Sequence, residues 1–321
     1  MIARQFRTLC LALPLVAAVP LRAQRIDPSA GYITTPDQTR LFFRIIGEGS
    51  DTLIAIHGGP GVDLESIAGD FVPLTKKHVV IYYDQRGTGR SSLPADTTRL
   101  GATQQVEDLD MVRKYFKLQH VTLVAHSYGP LLAASYAIAH PDVVQRMVFF
   151  GPVPPRRGEF WTRFAKNMNP RMDSASLRRM AAANRDLANP RADAREACRA
   201  YWAEALRPRL AEPEKTMTMI RSDLCASDPR GIRYGLTTTN RVVMASYGDW
   251  DLRAALKNVT AETLIIHGEE EAVPMDLVLE WTTSLPHARL VKIPRAAHFT
   301  YAERPELVWP EVEQFLAATK R

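Results

Sequence analysis

Hydrophobic positions along the chain alternate between two rhythms. Short apolar runs at residues 53–56, 79–83, 121–125 and 147–150 suit strands covered on both faces, and residues 263–267 and 289–293 resume the strand rhythm further on. Between them, apolar residues recur at helical spacing. Val106, Leu109, Val112, Tyr115 and Phe116 mark a helix over 103–117, and Ala- and Leu-rich residues 131–139 mark a second. Further helices are predicted over 276–284 and 305–318. Ahead of these, residues 31–34, a Pro36-Asp37 turn and residues 41–46 read as a β-hairpin. This order predicts an α/β fold built on a mostly parallel sheet with helices on both faces.

Residues 151–261 break the rhythm. Met, Arg, Ala and Trp predominate, helical patches lie between prolines, and no run suits a strand. The expectation is a helical cap or lid over 151–261, with an α/β core formed by 24–150 and 262–321. The amino terminus stands apart. Arg4 and Arg7 precede an apolar stretch broken by Pro14 and Pro20, and Leu21-Arg22-Ala23 precedes Gln24. A basic start, a short hydrophobic centre and a small residue at the cut mark a secretory signal peptide over 1–23, and hence a periplasmic or secreted protein. The stretch is too short and too proline-rich for a spanning helix, so no stable membrane insertion is expected after cleavage.

Composition changes the picture in three places. With 321 residues, 46% of them hydrophobic, the chain can bury a large core. The formal charge of +6 falls to +3 once the three arginines of residues 1–23 are removed, and no basic run is interleaved with aromatics. A nucleic-acid partner is therefore not expected, and the partner is a small molecule or short peptide. Cleavage also removes Cys10. The remaining Cys198 and Cys225 either pair, as an oxidising compartment allows, or stay as two buried thiols. No Cys/His spacing suits a metal, and no cofactor is called for.

The candidate chemistry centres on Leu123-Val124-Ala125-His126-Ser127-Tyr128-Gly129-Pro130. A strand turning abruptly into a helix at Ser127 presents the hydroxyl on an exposed corner, with small residues two before and two after it. A serine that only caps the helix is the plainer alternative. As a nucleophile, Ser127 needs a base, and the base needs an acid to orient it. His298 lies just past the last strand, where a loop can return an imidazole to Ser127. The other histidines read as part of the glycine turn (His57), as turned away on the elbow (His126), or as surface junctions (His78, His120, His140, His287). Glu271 is the candidate acid, three residues beyond Gly268 and three before Pro274, with Glu270 and Asp276 as rivals. The backbone N–H groups of Gly59, in His57-Gly58-Gly59-Pro60-Gly61, and of Tyr128 are candidate oxyanion donors.

Taken together, the His57–Gly61 turn, Asp84-Gln85-Arg86-Gly87-Thr88-Gly89-Arg90-Ser91 and the Ser127 turn resemble the proline iminopeptidases of the α/β-hydrolase fold. The resemblance covers roughly 30–150 and 260–318. It implies a Ser127–Glu271–His298 triad, an oxyanion hole in the glycine turn, and release of an N-terminal residue, typically proline, from peptides. It also implies a bracing role for Asp84 and Arg86, with carboxylate binding by Arg86 as the alternative. Three features depart from the family. Ala125-His126-Ser127-Tyr128-Gly129 replaces Gly-Gly-Ser-Trp-Gly, the acid is Glu rather than Asp, and the family's amine-binding lid glutamates are echoed only in Tyr201-Trp202-Ala203-Glu204. Trp202 and Glu204 are thus the candidate substrate-binding residues. Esterase or lactonase activity, and ligand binding without catalysis, stay open beside aminopeptidase activity.

Overall fold

The computed structural model describes residues 29–318, so the expected signal peptide lies outside the described residues. Eight strands form one sheet: β1 (Ala30–Thr34), β2 (Arg40–Ile46), β3 (Thr52–Ile56), β4 (Val79–Tyr83), β5 (Val121–His126), β6 (Val144–Phe150), β7 (Glu262–Gly268) and β8 (Ala288–Ile293). Their order is β1-β2-β4-β3-β5-β6-β7-β8. β2 pairs antiparallel with both β1 and β4, and every other pairing is parallel. The predicted hairpin and parallel sheet are both present.

Alternation of side chains divides each central strand between two cores. Ile54, Leu123, Met147, Phe149 and Ile265 face one layer, packed with Leu109, Val112, Leu131 and Trp281 from helices Ala102–Tyr115, Gly129–Ala139 and Met275–Ser284. Leu53, Val124, Val148, Phe150 and Ile266 face the other, packed with Ile67, Phe71, Val308 and Val312. Each such fully buried side chain contributes about 1.5–3 kcal/mol. Burial on both faces is why these strands read as continuous apolar runs.

Residues 151–261 join β6 to β7 and hold helices, including Phe160–Met168, Ser174–Ala188, Ala194–Ala205 and Asn240–Ser246, with a single isolated bridge, Arg156 to Asp251. Asp173 and Asp193 cap two of them by accepting backbone N–H bonds. Cys198 and Cys225 form a disulfide within this insertion. Its far end lies against the sheet loops. Gly235 meets Gly61 so closely that a Cβ on Gly235 would stand 2.1 Å from the Gly61 carbonyl oxygen. Asn240 Nδ2 donates to Pro60 O (2.6 Å), and Thr239 Oγ1 donates to Gly87 O (2.6 Å).

The turn after β4 is braced from within. Arg86 is 2% exposed and grips Asp108 through Nε and Nη2 (2.6 and 2.5 Å), while Nη1 reaches Asp37 and the Arg99 carbonyl. Asp84 accepts the N–H groups of Leu64 (2.9 Å) and Arg90 (2.8 Å). Burial pushes Asp84 up to about 6 against those two amide bonds. Both residues therefore occupy bracing positions. Removing one partner of a buried ion pair strands the other charge. Asp108→Ala is expected to destabilise the fold by about 3–5 kcal/mol in urea denaturation, and a loss below about 1 kcal/mol contradicts this role.

Candidate active site

Parallel strands put their carboxyl ends on one edge of a sheet, and strand order reverses here between β3 and β5. That reversal opens a crevice, the usual ligand position in open α/β sheets. The glycine turn follows β3, Ser127 follows β5, Gly151 follows β6, Glu271 lies three residues beyond β7 and His298 five beyond β8.

Ser127 adopts φ +62°, a left-handed conformation costly for a residue with a Cβ. Its neighbours hold it there. Ser127 N–H donates to Phe150 O (2.9 Å), and Val153 N–H donates to Ser127 O (3.0 Å). The helix starting at Gly129 passes so near β3 that a Cβ at Gly129 would lie 2.7 Å from the Ile56 carbonyl oxygen. This contact is the physical reason for the small residue two beyond the serine.

The half-buried Ser127 hydroxyl lies 3.0 Å from His298 Nε2, and His298 Nδ1 lies 2.7 Å from Glu271 Oε2. With the ring proton on Nδ1 donated to Glu271, Nε2 is free to accept from the hydroxyl. The second oxygen of Glu271 accepts the N–H groups of Ala272 (2.7 Å) and Val273 (3.2 Å). Burial raises the Glu271 pKa, but the adjacent His298 charge and hydrogen bond outweigh it and hold Glu271 at about 2. Of the rival acids, Glu270 is exposed and Asp276 pairs with Arg163 (2.6 Å). Among the described residues, neither Gly59 N–H nor Tyr128 N–H has an acceptor. Both donors stand beside Ser127, since Tyr128 follows it and a Cβ on Gly58 would lie 3.0 Å from Ser127 Cβ.

Several supporting residues escaped the sequence reading. Glu303 is buried and accepts three amides: Ala297 N–H (3.0 Å), Phe299 N–H (3.0 Å) and Ala211 N–H (2.8 Å). It thereby clamps both sides of His298 and ties the insertion to that loop. A lone acid directly after Phe299-Thr300-Tyr301-Ala302 was the available signal. Gly151 (φ +50°) passes close to the imidazole, and a Cβ there would lie 3.2 Å from His298 Nδ1. The ring of His126, expected to turn away on the elbow, is buried 4.8 Å from that of His298, with Nε2 3.3 Å from the His298 carbonyl oxygen. Burial, and then the His298 charge, pull His126 well below its ordinary pKa, so it stays neutral. His78 is not the surface residue expected. It is buried against Asp51 (2.8 Å).

The candidate substrate residues are engaged elsewhere. Both oxygens of Glu204 are taken by Arg179 (2.5 and 2.9 Å). Trp202 packs edge-on to Tyr201 at 5.2 Å, and its buried Nε1 has no partner among the described residues. No group of three or more His, Cys, Asp or Glu side chains among the described residues is arranged to hold a metal ion.

A family of proteins with the alpha/beta hydrolase fold matches residues 51–305. The chain belongs to that family. It is 28% identical over 272 residues to a proline iminopeptidase of Heyndrickxia coagulans, spanning 84% of this chain and 91% of that protein. Among solved structures it resembles a proline iminopeptidase of Mycobacterium smegmatis (TM-score 0.66, 22% identity, 90% of this chain and 97% of that one). It also resembles an esterase of Exiguobacterium antarcticum (TM-score 0.63, 20% identity, 89% and 99%). The family resemblance read from the motifs therefore holds, and the architecture is that of an α/β hydrolase.

A carboxylate whose pKa is depressed on folding stabilises the fold above its unfolded value, and this contribution fades as pH falls towards the folded value. For Glu271 the window runs from about 4.5 down to about 2, worth about 3 kcal/mol. Urea denaturation of native and Glu271→Gln proteins should show a stability gap at pH 6 that narrows steadily below pH 4.5. A gap independent of pH contradicts the assignment.

Proposed function

We propose that this hydrolase works through a nucleophilic serine, with Ser127, His298 and Glu271 as its catalytic triad and residues 151–261 as a lid. The observation that carries this reading is the 3.0 Å approach of Ser127 Oγ to His298 Nε2 with Glu271 behind it. In the reaction, His298 takes the Ser127 proton as Oγ bonds to the substrate carbonyl carbon, and the carbonyl oxygen becomes an oxyanion. The unpaired Gly59 and Tyr128 N–H groups receive that charge. His298 then gives its proton to the leaving group as the carbon–leaving group bond breaks, leaving an ester on Ser127. Water attacks that ester with His298 again as base, releasing the acid and restoring the hydroxyl. Glu271 holds the imidazolium through both halves.

The favoured substrate class is short peptides, from which an N-terminal residue is released. Similarity to the Heyndrickxia coagulans proline iminopeptidase over most of both chains supports this reading. A second reading, hydrolysis of small esters or lactones, is favoured by the bidentate pairing of Glu204 with Arg179, which already neutralises the carboxylate offered to a substrate ammonium. The Cys198–Cys225 bridge fits the oxidising compartment that the amino-terminal sequence suggests.

Prolyl and alanyl arylamides assayed beside short acyl esters separate the two readings. Arylamide turnover is expected, and ester turnover alone removes the peptidase assignment. On whichever substrate is turned over, Ser127→Ala should lose more than about a thousandfold in kcat. Retention of most activity removes the mechanism.

A further inference from the structure

The insertion is strongly basic. Residues 151–261 carry 20 Lys and Arg against 12 Asp and Glu. Its half-buried carboxylates, Glu204 and Asp228, are each paired with an arginine. Among its half-buried arginines, Arg156, Arg163, Arg207 and Arg253 meet carboxylates, and Arg233 donates to four backbone carbonyls.

Arg209 differs from all of these. A guanidinium carries five N–H donors, yet that of Arg209 donates only to the Ala205 carbonyl and forms no ion pair among the described residues. Its Nε and Nη2 meet no other acceptor among the described residues and are not fully sealed from solvent. Its backbone lies beside the triad, because His298 N–H donates to the Arg209 carbonyl oxygen (3.0 Å), and the Glu271 carboxylate is near enough to act on its guanidinium. Burial lowers the Arg209 pKa, and only Tyr201 and Glu271 act in the opposite sense. Glu271 is itself committed to His298 at 2.7 Å. A desolvated, always-charged fork with spare donors is the usual recognition element for a carboxylate.

We propose that Arg209 binds a carboxylate of the substrate, making acidic acyl compounds or acidic leaving groups the preferred substrate class of the Ser127 site. This rests on the serine-hydrolase reading for its kinetic consequence. It is compatible with either substrate class, since the carboxylate can belong to the acyl portion of an ester or to the C-terminus of a released peptide.

Three esters distinguish the sources: neutral 4-nitrophenyl acetate, 4-nitrophenyl hemiadipate with its carboxylate on the acyl side, and 4-acetoxybenzoate with its carboxylate on the leaving side. At least one acidic ester should exceed the acetate in kcat/KM. Arg209→Gln should lower that value about thirtyfold, mainly through KM, the size expected of one charged hydrogen bond. The same change should slow the acetate less than about threefold, and Arg209→Lys should recover much of the loss. Neither acidic ester exceeding the acetate, or an equal slowing of all three by Arg209→Gln, overturns the proposal. A second measurement does not need catalysis. Calorimetric titration of the Ser127→Ala protein with monobenzyl adipate should show binding that the Ser127→Ala/Arg209→Gln protein lacks, and absence of Arg209-dependent binding overturns the site. If neither esters nor arylamides are turned over while this binding persists, the serine-hydrolase reading falls and the carboxylate site stands.

Discussion

The left-handed backbone at Ser127 is the constraint on which the site depends. A β-carbon at φ +62° is unfavourable on its own and persists only where neighbours fix the chain on both sides. Here β6 accepts the Ser127 amide, Val153 fastens the Ser127 carbonyl, and the small side of Gly129 lets the following helix settle against β3. The apolar layers on both faces of the sheet supply the free energy that offsets this strain. The gain is a half-buried hydroxyl at a fixed point, with the Tyr128 amide beside it.

The remaining site residues follow from the same sheet. β7 and β8 lie on one side of β5, and the glycine turn after β3 lies on the other. The loops that leave their carboxyl ends therefore converge without long connections. Convergence alone does not fix an imidazole. Glu271 orients the ring through Nδ1, Glu303 holds the backbone on either side of it, and neutral His126 fills the space behind it. Glu303 also takes the Ala211 amide, so the insertion and the His298 loop share one buried carboxylate.

Much of this was legible in the sequence because the central strands are buried on both faces and read as unbroken apolar runs. Ser127, His298 and Glu271 stood out by position, each just past a strand. The strand order was not legible, since it depends on which layer each helix covers. Arg86–Asp108 and Glu303 were also hidden: each is a polar residue whose partner lies elsewhere in the chain or is a backbone amide, and neither leaves a periodic trace. In the insertion, helices begin at Asp173 and Asp193 caps rather than at changes in hydrophobicity, and an arginine-rich composition conceals which cations are paired. Arg179 and Arg209 look alike in sequence. Only the fold shows that one meets Glu204 and the other meets a single carbonyl.

The central claim is that the Ser127 hydroxyl is made nucleophilic by His298. Peptide mapping by mass spectrometry after brief exposure to a fluorophosphonate tests it directly. The account predicts a single phosphonyl adduct on Ser127 in the native protein and a loss of most of that adduct in the His298→Ala protein. An unlabelled Ser127, or equal labelling with and without the imidazole, contradicts it.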